Sequence, residues 1–181
     1  MEIIKSIQYR YSVRKYAASP IEKEKVERIL EAARLAPSAC NAQPWTFIVV
    51  DEPELKEKVA KTARAETIGM NRFAAQAPVI IAIVMEPANI TSTFGSKVKR
   101  KHFPLIDIGI AAEHICLQAT AEGLGTCMLG WLNEKRAKKL LGVPASKRIP
   151  LLISLGYPQD QKEKTKQRKS FDKVVRYNTY K

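Results

Sequence analysis

Apolar positions along the chain follow two spacings, and the switches between them divide it into elements. Ile3, Ile4 and Ile7 recur as on one helical face, which predicts a short first helix over residues 2–8, ending ahead of the basic cluster Arg10-Tyr11-Ser12-Val13-Arg14. Ser19-Pro20 followed by Glu22 reads as a second helix start, with serine as N-cap, proline in the first turn and acids near the positive end of the dipole. Val26, Ile29, Leu30 and Ala33 form its apolar stripe to about Leu35, and Pro37 stops it because the residue before a proline is pushed out of helical backbone. Trp45 to Val50, rich in β-branched and aromatic side chains, predicts a strand, and Glu52-Pro53 opens a helix to about Thr62. A short helix is expected around residues 68–75. Pro78 to Met85 is an unbroken apolar run, the mark of a strand buried on both faces.

Residues 86–103 lack apolar periodicity and read as a long loop of the kind that covers sites. From Leu105 to about Ala121 the apolar positions nearly encircle a helix, so a central helix buried on most sides is expected, as the spine of the core and part of a dimer interface. Cys127-Met128-Leu129 predicts a strand, Asn133 caps a helix from Glu134 to Leu141 that stops at Gly142, and Ile149 to Leu155 is a further strand. After Gly156-Tyr157-Pro158 comes a lysine-rich tail ending in the strand-like Val174-Val175-Arg176-Tyr177.

Composition narrows the classes. At 181 residues, with 45 % hydrophobic and 27 % charged residues, the chain has the make-up of one globular domain, 1–181. Its longest apolar run, Ala77 to Met85, is too short to span a bilayer, and Met1-Glu2-Ile3-Ile4-Lys5 lacks the features of a secretory signal, so a cytoplasmic protein without a membrane partner is expected. Cys40, Cys116 and Cys127 are widely spaced, with no C-x-x-C pair and only His102 and His114 to assist, which argues against a disulfide framework and a metal site. The net charge of +13 suits a polyanion partner, but Lys and Arg are spread through the chain and interleaved with Glu, as in Ile21 to Arg28. The clearest excess lies in residues 162–181. With no recognisable RNA- or DNA-binding module, a basic nucleic-acid-binding protein is only the alternative from another class, whereas a small anion needs just two or three such groups.

Two phosphate-binding motifs fail on inspection. Gly125 and Gly130 have P-loop spacing, but Trp131-Leu132 stands where lysine and a hydroxyl residue must meet phosphate and magnesium. Gly123 and Gly125 begin a dinucleotide fingerprint, but Met128 occupies the third glycine position and a strand follows where a helix is required. No G-x-S-x-G elbow is present. What survives is a pair of basic clusters, Arg10 with Ser12 and Arg14, and Arg168 with Lys169, able to supply charge-assisted donors to a doubly charged phosphate.

These residues carry a resemblance. Arg10-Tyr11-Ser12-Val13-Arg14-Lys15-Tyr16, then Ile29 through Ala36-Pro37-Ser38-Ala39-Cys40-Asn41-Ala42-Gln43-Pro44-Trp45, closely resemble the FMN-dependent nitroreductase family. Ala77-Pro78-Val79, the segment Leu117 to Thr126, and Arg168-Lys169 before Val174 to Asn178 extend the likeness over nearly the whole chain. The resemblance implies an α+β fold with a central, mostly antiparallel sheet flanked by helices, in an intertwined homodimer holding FMN at the subunit interface, with the tail from about residue 160 packing on the partner.

Carried over position by position, Arg10, Tyr11, Ser12 and Arg14 would meet the phosphate and the pyrimidine side of the flavin, with Arg168 and Lys169 closing on the phosphate. Pro37, Ser38, Ala39 and Asn41 would come from the other subunit to line the ring, Leu129 and Gly130 would offer backbone at its edge, and Asn71 is a further ring contact. The implied activity is hydride transfer from NADH or NADPH to FMN and onward to a nitroaromatic, quinone or related acceptor in a ping-pong scheme, with no catalytic side chain required. The same fold with a different flavin reaction, dehalogenation or flavin fragmentation, is the alternative enzyme reading. Cys40 stands in the loop where many relatives have glycine or another small residue, and the segment 86–103 is short compared with relatives that carry a helical excursion over the flavin.

Overall fold

The computed structural model describes residues 2–65, 69–87, 102–160 and 165–180. Four strands, β1 (Trp45–Val50), β2 (Val79–Met85), β3 (Gly125–Leu129) and β4 (Arg148–Gly156), form one sheet in the order β1-β2-β4-β3, with every pairing antiparallel. Helices α1 (Ile3–Tyr9), α2 (Lys23–Arg34), α3 (Pro53–Thr62), α4 (Phe103–Ala121), α5 (Glu134–Leu141) and α6 (Phe171–Val174) surround it. The expected α+β architecture is therefore the observed one. Among the described residues no helix is long and apolar enough to cross a membrane.

The alternation of side chains along β2 explains the layering. Ile80, Ala82 and Val84 face a core shared with α3 and α5, while Val79, Ile81 and Ile83 face a second core shared with α2 and α4. A strand covered on both faces has no position for a polar side chain, which is why β2 reads as an unbroken apolar run. Trp45 anchors β1 in the second core and stacks on Phe47 at 6.3 Å between ring centroids.

Capping chemistry accounts for several boundaries. Glu52 accepts hydrogen bonds from the backbone N–H groups of Glu54 and Leu55 at the start of α3, and Asn133 accepts one from Arg136 N–H at the start of α5. Gly142 ends α5 in left-handed backbone.

Three expectations are corrected. The second helix begins at Lys23, not at Ser19-Pro20: Glu22 is the extended N-cap residue, and its carboxylate is held by the Tyr157 hydroxyl and Lys25 rather than by the helix N-terminus. The helix expected around 68–75 is a 3-10 turn over Arg72–Gln76, entered through Asn71 in left-handed backbone; Ile68 lies outside the described residues. Val174 to Tyr177 is not a strand within one chain. A strand needs a neighbour, and without one Phe171–Val174 closes a single helical turn, with Val175 extended after it. Most of the 86–103 segment and residues 161–164 of the tail lie outside the described residues.

Candidate functional site

Residues 10–16 run as an extended segment against the end of the sheet. Ser12 bridges to Thr126 in β3, Val13 N–H donates to Thr126 O at 2.9 Å, and Tyr16 bridges to Pro158 beyond β4. Val13 and Tyr16 are buried, while Arg14 and Lys15 between them are exposed. Two glycines make the close approach possible: a Cβ on Gly125 would stand 2.3 Å from Val13 Cγ2, and one on Gly156 would stand 2.8 Å from Tyr16 Cδ1. The Tyr16 hydroxyl, 3.1 Å from Val13 O and 2.8 Å from Ser154 Oγ, ties the segment to β4.

The polar side of this segment opens on a cleft of about 540 Å³. Arg10, Ser12, Glu113, Thr126, Lys166 and Arg168 supply its polar lining, beside Cys116 and Met128. Lys166 is held in place by donating to Ile7 O. Burial, and then the like charges of Arg10 and Arg168, push the Lys166 amine below its ordinary value, while Glu113 opposes them. Glu113 sits 3.6 Å from Arg10 Nε, one carboxylate against three cations. Among the described residues the buried Thr126 hydroxyl has the Cys116 thiol as its neighbour and no oxygen or nitrogen partner. Three convergent cations and the hydroxyls of Ser12 and Thr126 are the donor set of an anion site, and they fit a phosphate ester. The larger hollow between α2 and the β1 edge, about 800 Å³, has no such set: Lys23 and Lys56 are balanced there by Glu27 and Asp51 among apolar walls.

The structure brings together Arg10, Ser12 and Arg168 of the residues singled out in the sequence, and adds Lys166, Thr126 and Glu113. Lys169 is exposed and does not line the cleft. Tyr11 turns to the other side, where it packs on the core of α3 and α5 and its hydroxyl donates to Asp160 O at 3.2 Å. Arg14 is exposed, and its charge reaches the Cys127 thiol, which burial nonetheless holds above its ordinary range. Leu129 packs its side chain in the core, Gly130 has open space around its Cα, and Asn71 donates its side-chain amide to Ala63 O at 3.0 Å.

Pro37, Ser38, Ala39 and Asn41 do not line the cleft of their own chain. They form a separate loop between α2 and β1. Ser38 Oγ accepts from Gln43 N–H at 2.9 Å, Gln43 Nε2 donates to Asn41 Oδ1 at 3.1 Å, and Ala39 N–H donates to Asp107 Oδ1 at 3.1 Å. Cys40, Asn41 and Gln43 all have positive φ, 52°, 51° and 44°, a conformation seldom held by non-glycine residues without surrounding support.

Lys166 and Thr126 were within reach of sequence reasoning: Lys166 stands two residues before Arg168, and Thr126 is the second residue of the strand that pairs with the Arg10 segment. An antiparallel sheet layered between helices, with a basic cleft beside the segment that crosses its end, defines an α+β protein with a site suited to an anion. The chain belongs to the nitroreductase family, whose sequence model matches residues 7–157. A protein of Archaeoglobus fulgidus, provisionally named NADH dehydrogenase/NAD(P)H nitroreductase, is 35 % identical over 90 % of this chain and 88 % of its own. The solved FMN-dependent nitroreductase of Clostridium difficile R20291 superposes with a TM-score of 0.79 at 31 % identity, covering 98 % of this chain and 99 % of that one. An iodotyrosine deiodinase of Drosophila melanogaster is 27 % identical over 84 % of this chain and 60 % of its own.

Proposed function

We propose that this chain is an FMN-dependent oxidoreductase that takes a hydride from NADH or NADPH and reduces a nitroaromatic, quinone or related small acceptor in alternating half-reactions. The observation that carries the reading is the cleft in which Arg10, Lys166 and Arg168 converge with Ser12 and Thr126. FMN, when bound, supplies the hydride chemistry. Arg10, Lys166 and Arg168 hold its phosphate, Ser12 and Arg14 meet the chain beyond it, and the backbone of Leu129 and Gly130 lies toward the ring edge. Tyr11, Asn71 and Lys169 do not line this cleft, and we propose them as contacts for the flavin beyond it. None of these residues donates or abstracts a proton from substrate; their work is binding and orientation.

The loop residues Pro37, Ser38, Ala39 and Asn41 complete the site from a second copy of the chain. Support for a homodimer comes from exposed apolar side chains that one chain leaves uncovered: Ile3, Ile4 and Ile7 on α1, Leu105 and Ile106 on α4, and Phe171, Val174, Tyr177 and Tyr180 on the tail. We assign the tail from about residue 160 to the partner surface, within a single domain of residues 1–181, and the site of action to the cytoplasm, where NADH and NADPH are held.

Purification tests the reading directly. A yellow protein whose absorbance bleaches anaerobically with NADH or NADPH and returns on adding a nitroarene or quinone supports it; a colourless protein that does not bind added FMN overturns it. The likeness to the iodotyrosine deiodinase favours a second reaction on the same site, reductive dehalogenation. Colour that returns with a halophenol and not with a nitroarene or quinone would select that reading.

A further inference from the structure

We propose that Asp107 is a positioning residue: from inside helix α4 its carboxyl holds Ala39 N–H, and thereby locks the loop 37–44 in the shape that meets the flavin, a step that rests on the flavin reading above. The loop carries three non-glycine residues at positive φ, so its backbone has unfavourable local preferences and needs external support. The hydrogen bonds made by Asn41 and Ala42 stay within the loop, and its exit is fixed to the sheet by Gln43 O accepting from Trp45 N–H at 2.8 Å and Pro44 O from Glu86 N–H at 3.1 Å. The bond from Ala39 N–H to Asp107 Oδ1, 3.1 Å, reaches out of it to a helix of the core.

Asp107 is costly where it stands. It is 3 % exposed, on the face of α4 that also buries Ile108, Ala111 and Ile115, and Asp107 Oδ2 has no hydrogen-bond partner among the described residues. Helix capping does not account for it. Residue 107 lies beyond the first turn of a helix that starts at Phe103, and its Oδ1 is turned to Ala39 and not to the helix N–H groups. Burial raises the carboxyl above its ordinary value, with the Ala39 N–H as the opposing influence. A neutral acid still presents a carbonyl oxygen to Ala39, so the clamp needs an acceptor at this point and not a negative charge.

Asp107→Asn and Asp107→Ala separate this role from general packing. Asparagine keeps a carbonyl acceptor of the same reach; alanine removes it. Amide hydrogen exchange on the FMN-free protein should give the asparagine variant wild-type protection across residues 38–43. The alanine variant should exchange about tenfold faster there, with β2 and β4 unchanged, and its FMN affinity should fall by about tenfold, as expected for one lost hydrogen bond to a site-forming loop. If the alanine variant does not fold, Asp107→Leu, which suits the apolar surroundings, takes its place. Wild-type exchange in the alanine or leucine variant overturns the proposal, as does an asparagine variant equally loosened, or faster exchange spread over β2 and β4. Failure of the wild-type protein to bind FMN would overturn the flavin reading instead, while the exchange measurements would still decide whether Asp107 holds the loop.

Discussion

The hydroxyl of Tyr16 stands 2.8 Å from Ser154 Oγ, and this buried contact sets the position of the basic segment relative to the sheet. Ser154 Oγ in turn lies 3.4 Å from Cys127 O, so one hydroxyl pair links residues 10–16, β4 and β3. Burial raises the Tyr16 phenol above its ordinary value, which keeps it protonated and able to donate. Tyr16→Phe should destabilise the protein by about 1–3 kcal/mol, because Ser154 and Val13 O lose a buried partner. Urea unfolding checks this; a midpoint equal to wild type would show that the contact does not hold the segment.

Gly125 and Gly130 should respond differently to the same change. A methyl group on Gly125 meets Val13 Cγ2 at 2.3 Å and Val13 Cβ at 2.9 Å, neither of them the end of a long flexible side chain, so Gly125→Ala must push the segment off β3. The expected loss is about 1–3 kcal/mol, the range for overpacking a core. Gly130 has no atom within 4 Å of an added Cβ, and Gly130→Ala should leave thermal stability unchanged.

The cationic trio should act on ligand binding more than on the fold. Arg10→Ala and Arg168→Ala each remove a charge-assisted donor worth about 1.5–3 kcal/mol, roughly a ten- to hundredfold loss of FMN affinity. Lys169→Ala, outside the cleft lining, should cost far less. Lys166→Ala should also weaken binding, yet change the stability of the FMN-free protein little, since relief of the amine's burial and of repulsion by Arg10 and Arg168 offsets the lost hydrogen bond to Ile7 O. Equal affinity for FMN in the Arg10 and Arg168 variants and the wild type, by fluorescence titration, would remove the phosphate from this cleft.

The affinity should also depend on pH with a defined sign. The free protein holds Lys166 below its ordinary 10.5, and a bound phosphate raises it again, so binding takes up a proton. Affinity is then greatest below the free Lys166 value and declines as pH rises through the window between the free and bound values. Lys166→Arg, which stays charged throughout, should flatten that decline. A wild-type profile as flat as the arginine variant's in that window would contradict it.

Helix α5, strand β1 and the buried strand β2 were legible in the sequence because each is decided locally, by an asparagine cap and a terminal glycine, by a β-branched run, or by unbroken apolarity. The start of α2 was not, because Glu22 is held by Tyr157, 135 residues away, and outcompetes the local signal of Ser19-Pro20. The tail read as a strand because Val174 and Val175 favour extension, but pairing is a property of the neighbour and not of the segment. At the site, Arg10, Ser12 and Arg168 stood out as charged or hydroxyl residues in basic clusters. Asp107 carried no such signal: an isolated acid in an apolar helix acquires a role only once the fold places Ala39 against it.

The cleft joins parts of the chain that are far apart in sequence, Lys166 reaching Ile7 across 159 residues. Contacts of that span carry a loop-closure cost, and the cleft is complete only when the Lys166 segment has docked on α1. A ligand that reads only the completed cleft puts its binding energy on the unfolding barrier. Occupancy should lengthen the lifetime of the folded protein while leaving the speed of its folding unchanged.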